Sequence, residues 1–109
     1  MTVKELAAEC GFKIITAPDA TREIKGVYIG DLLSWVMGRA SADNVWITIM
    51  SNINVIAVAS LSDVGCVLLA EGVKPDESLI KTAEEKGINL LSSELPIYET
   101  AIRINGVQR

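Results

Sequence analysis

Residues 45–72 leave this chain few folds to choose from. They hold two aliphatic runs, Val45-Trp46-Ile47-Thr48-Ile49 and Gly65-Cys66-Val67-Leu68-Leu69-Ala70, and neither alternates polar with apolar. A strand that reads this way is hidden on both faces, as in a parallel sheet covered by helices. Between them stand a polar turn, Met50-Ser51-Asn52, and a nearly all-apolar segment, 53–61. Ser51 or Asn52 is the expected cap of that segment as a helix. Its small residues Ala57, Ala59 and Ser60 let it lie close on a sheet. The stretch reads strand, helix, strand, and two parallel strands so joined need a right-handed crossover.

The flanks extend the pattern. Thr2 and Glu5 form a capping box, Val3, Leu6, Ala7 and Cys10 share one helical face, and Gly11 stops the helix. Residues 12–16 are a short strand candidate, and 17–21 a loop around Pro18. Residues 23–29 read as a strand, with Gly26 marking a bulge or a close backbone approach. Asp31 is the expected N-cap of a helix over 32–37, closed by Gly38. Beyond the second aliphatic run, Asp76 caps a helix over 77–86 that Gly87 ends, with Leu79, Ile80 and Ala83 facing inward. Residues 88–91 are a strand. Ser92 or Ser93 opens a last helix with Pro96 in its first turn, and the tail 105–109 frays. Residues 45–104 thus read β-α-β-α-β-α. The expected fold is a single α/β domain over 1–109, a three-layer, mostly parallel sheet flanked by helices.

Composition excludes more than it identifies. Half of the 109 residues are hydrophobic, enough to rule out a disordered chain. The net charge is −4 and no Lys/Arg cluster occurs, which argues against a nucleic-acid surface. No run approaches the roughly 20 apolar residues that span a bilayer. No basic segment with an apolar run opens the chain, so a cytoplasmic location with reduced thiols is expected. Cys10 and Cys66 lack metal-ligand spacing and read as inert core thiols; no metal or cofactor is implied. Histidine is absent, which removes the commonest general base. No phosphate-binding glycine loop or nucleophile elbow appears. Cys10 falls late in a helix, where the dipole raises a thiol pKa. No catalytic residue is assigned. The alternative is a small enzyme or phosphotransfer component using Asp31, Glu71 or a serine at 51, 92 or 93.

Ligands of open parallel sheets gather beyond the carboxyl ends of the strands. The loops expected there are 29–31, 50–52, 70–72 and 91–94. Asp31, Ser51, Asn52, Glu71 and Gly72 are accordingly the candidate ligand-binding residues. Lys74 and Arg39 are the only nearby cations, fewer than a tight polyphosphate site usually shows. Ordinary helix capping explains the same residue types. Helices 31–37 and 53–61 are apolar around more of their girth than a surface helix needs. That surplus, with Trp35 and Met37, points to a patch covered by a second copy or another protein. Trp35 packing over the sheet edge is the other possibility.

In order, 23–31, 45–49, 53–59 and 67–76 (Val67-Leu68-Leu69-Ala70-Glu71-Gly72-Val73-Lys74-Pro75-Asp76) resemble the DRTGG domain, a family related to the N-terminal domain of HPr kinase/phosphorylase. The resemblance covers about 3–104. An Asp-Arg pair is usual after the strand placed at 45–49, and Ser51-Asn52 stands there instead. Ala70-Glu71-Gly72 falls at the family's Thr-Gly-Gly, so only Gly72 matches. Members commonly sit beside CBS, phosphotransacetylase or pyrophosphatase domains. The resemblance therefore implies a regulatory, homodimer-forming module that senses a small molecule or nucleotide. It would act on a separate metabolic or signalling enzyme.

Overall fold

The computed structural model describes residues 1–107. Its elements are α1 (Val3–Cys10), β1 (Lys13–Thr16), β2 (Val27–Ile29), α2 (Leu33–Arg39), β3 (Val45–Thr48), α3 (Asn54–Ser62), β4 (Cys66–Leu69), α4 (Glu77–Glu85), β5 (Leu90–Ser92) and α5 (Ile97–Val107). The strands form one sheet in the order β1-β5-β4-β3-β2. Strands β2 to β5 are parallel. The edge strand β1 runs antiparallel to β5. The expected α/β architecture is present, and every residue of β3 and β4 is buried.

Successive strand residues point to opposite faces, so β3 and β4 feed two separate cores. Val45, Ile47, Cys66 and Leu68 join one core with Val3, Leu6 and Cys10 of α1 and Ile104 of α5. Trp46, Val67 and Leu69 join the other with Val36 of α2, four residues of α3, and Leu79 and Ala83 of α4. Two helices cover one face and three the other. Val27 and Ile29 are in register with Val45 and Ile47, hence on the two-helix face, and stay exposed.

The sequence-based boundaries shift where distant partners intervene. Only 27–29 of the expected strand 23–29 joins the sheet. Ile24 N–H bonds Met1 O at 3.0 Å, and Glu23 bridges Thr2. Gly26 is a close approach: at φ +76° its Cβ would lie 3.1 Å from Asn44 Nδ2. Asp31 is not the cap of α2. Leu32 holds that position without a side-chain bond, and the helix runs through Gly38 to Arg39. Ser92 ends β5, and Ser93 does not open α5, which starts only after Pro96. The expected fraying from 105 is absent through Val107; 108 and 109 lie outside the described residues. The capping box and the Asp76 cap form as expected, Asp76 accepting from Leu79 N–H at 2.8 Å.

At the amino ends of the strands one side chain ties two turns. Arg22 donates through Nε and Nη2 to Asp43 Oδ1, at 3.0 and 2.8 Å. Its Nη2 also meets Asp63 Oδ1 at 2.9 Å and the Asp63 carbonyl at 2.6 Å. Asp43 and Asp63 both hold positive φ, 68° and 55°, in the turns that lead into β3 and β4. Arg22→Ala is expected to destabilise the fold by about 2 kcal/mol in urea unfolding, the worth of bonds to charged groups. Arg22→Lys should recover little, because an ammonium lacks the planar fork. A second expectation concerns pH. The bond from Thr2 N–H, then its hydroxyl, holds Glu5 below the usual carboxylate range. A depressed carboxylate stabilises above its unfolded pKa and loses that effect as pH falls through its folded pKa. The melting-temperature gap between wild type and Glu5→Ala should therefore be present at neutral pH and shrink in acid.

Candidate functional site

The carboxyl ends of β2, β3 and β4 carry all five candidate ligand residues on one rim. Asp31, in the β2–α2 loop, turns toward β3. Its Oδ1 accepts from Thr48 Oγ1 at 2.7 Å and from Ile49 N–H at 2.9 Å. The same Thr48 oxygen accepts from Met50 N–H at 3.1 Å. Trp46, fully buried, donates its indole N–H to Gly30 O at 2.9 Å and fixes the start of that loop. Asn52 Oδ1 accepts from Asn54 N–H at 2.9 Å, and Ile53 already has helical angles, so Asn52 caps α3 in practice. Ser51 is half-buried, and its side chain makes no hydrogen bond among the described residues.

Glu71 and Gly72 belong to a second group. Glu71 has φ +63°, the left-handed region that favours glycine. Its N–H donates to Leu95 O at 2.8 Å, and its Oε2 accepts from Ile97 N–H at 2.8 Å. The side chain thus caps α5 from 26 positions away in sequence. Gly72 N–H donates to Ser93 O at 3.0 Å. At Gly72, φ +69°, a Cβ would stand 2.7 Å from Glu94 Oε2, so no larger residue fits without moving that carboxylate. Ser93 Oγ accepts from Leu95 N–H at 3.1 Å and shares a hydrogen bond of 2.9 Å with Thr100 Oγ1. Lys74 pairs with Glu94 at 2.8 Å, and this bond holds the Glu94 carboxyl below its usual range.

The rim therefore has two halves. Asp31, Ser51 and Asn52 stand with Thr48 at the β2–β3 end; Glu71 and Gly72 stand with residues 93–97 at the β4–β5 end. The sequence reading missed Thr48 and the capping role of Glu71, and it named Ser93 only as a candidate helix opener or reactive serine, not as the hydroxyl that bonds Leu95 and Thr100. Thr48 had a visible signal, a lone hydroxyl in a run otherwise apolar. The reach of Glu71 to Ile97 had none. Among the described residues no cluster of three or more Cys, Asp or Glu is placed to hold a metal ion. Burial pushes the Cys66 thiol up to about 12. Burial also raises Cys10, against the opposing charge of Arg103. Both thiols are poor nucleophiles as they stand. Two shallow concavities open elsewhere, one along Glu77, Ile80, Lys81 and Glu84 of α4, the other between α3 and α4 over Ala57, Leu61, Thr82 and Lys86.

A family model described as the DRTGG domain matches residues 5–107. This chain belongs to the DRTGG domain family. Among solved structures, the DRTGG domain is similar to the CBS and DRTGG domains of the regulatory region of Clostridium perfringens pyrophosphatase, crystallised with its activator, diadenosine tetraphosphate. The TM-score is 0.74 at 10% identity, over 94% of this chain and 45% of that one. That likeness is one of fold. The chain spans less than half the length of that neighbour. No curated protein matches this DRTGG domain.

Glu71 stands where the resemblance sets the first glycine of Thr-Gly-Gly, and it keeps the glycine-like backbone. Its strain is offset by the cap it supplies to α5. Substituting Ala keeps the strain and removes the cap; substituting Gly removes both. Glu71→Ala is expected to lose about 1 kcal/mol in urea unfolding, the usual worth of a cap. Glu71→Gly should fall within about 0.5 kcal/mol of wild type, since relief of left-handed strain is of similar size. An Ala variant as stable as wild type would rule out the capping role.

Proposed function

We propose that this DRTGG domain is a non-catalytic regulatory module. It pairs with a second copy of itself, senses a small molecule at the strand-end rim, and acts on a separate metabolic or signalling enzyme in the cytoplasm. Family membership over 5–107 carries this reading. The pyrophosphatase neighbour, itself a regulatory region holding a nucleotide activator, makes a nucleotide the first ligand class to try. Absence of enzymatic turnover is supported by how the reactive groups are spent. The Asp31 and Glu71 carboxylates each accept backbone N–H bonds, and both thiols are buried. No helix among the described residues is long and apolar enough to cross a membrane.

Self-association is supported by the helices. Leu32, Trp35 and Met37 beside and within α2 are each more than half exposed, as are Ile53 and Leu61 at the two ends of α3. Trp35 leaves about half of its surface open, with Arg39 over its ring, 3.7 Å from the centroid. Exposed apolar residues in such number are typical of an association surface. For the ligand, the reading rests on Ser51, whose side chain makes no hydrogen bond among the described residues, and on the exposed Asn52. Asp31 stands beside them, and Glu71 and Gly72 stand on the other half of the rim.

Sedimentation at micromolar concentration is expected to give a dimer, and Trp35→Ser to shift it toward monomer with an unchanged circular dichroism spectrum. A wild-type monomer overturns the pairing. Thermal-shift measurements with nucleotides and acyl phosphates address the ligand. At one hundred times its dissociation constant a ligand adds about 2.7 kcal/mol, which for a domain of this size raises the melting temperature by roughly 10 °C or more. Ser51→Ala with Asn52→Ala should abolish that rise. A rise that survives the double substitution places the ligand elsewhere.

A further inference from the structure

We draw no further inference here: the strongest candidate, the apolar strip that Val27 and Ile29 leave open on the two-helix face of edge strand β2, is an unpartnered surface, and nothing in the structure shows what covers it.

Discussion

Burial of β3 and β4 on both faces is the constraint from which the architecture follows. Eight consecutive-in-strand residues have no exposed side. Each large aliphatic side chain so hidden contributes about 1.5–3 kcal/mol, but only if helices stand on both sides of the sheet. The alternation of Val45, Ile47, Cys66 and Leu68 against Trp46, Val67 and Leu69 divides the helices into two layers. α3, apolar nearly all round, fits the inner position between α2 and α4. Trp46 then does two things at once. It fills the three-helix core, and its indole N–H anchors the Gly30 carbonyl at the rim. Core packing and loop position are joined in one side chain.

Helices α2, α3 and α4 follow β2, β3 and β4 onto the same face, and α5 follows β5 onto the other. The connections diverge only between β4 and β5. A divergence of this kind is where open α/β sheets usually form a ligand crevice. Here the chain closes it from within. Glu71 and Gly72 donate to the carbonyls of Leu95 and Ser93, the Glu71 carboxylate takes up the free N–H of Ile97, and Glu94 lies against Gly72. The start of α5, which would otherwise attract an anion, already has one from its own chain.

Local pattern was enough to read the layers, the order of helices and strands, and the caps made by Thr2 and Asp76. Each depends on residues within a few positions of one another. The largest departures involve partners far apart in sequence. Residues 23–26 look like strand by composition, but Glu23 and Ile24 are claimed by the amino terminus and Lys25 by the turn before β3. Asp31 has the chemistry of an N-cap, yet Thr48 and Ile49, 17 and 18 positions on, compete for its carboxylate and win. Arg22, in an undistinguished loop, turns out to bind Asp43 and Asp63 together. The rim itself was legible because parallel strands must end on the same side. Its division into two halves was not, since that rests on contacts across the β4–β5 gap.

The division bears on what a regulatory domain of this kind can recognise. The β4–β5 half has spent its polar groups on itself, and its lysine is paired with Glu94. The β2–β3 half keeps Ser51 without a side-chain bond and Asn52 exposed, at the turn where the family resemblance sets an Asp-Arg pair. Ser-Asn in place of a charged pair leaves this turn without a cation of its own. The neighbouring carboxylates Asp31 and Glu71 add negative charge to the rim, while Glu94 is paired with Lys74. A polyphosphate chain lying along this rim would meet like charge unless a cation came with it. For the proposed nucleotide, the hydroxyl and amide at 51 and 52 offer hydrogen bonds suited to a base or sugar rather than to a phosphate.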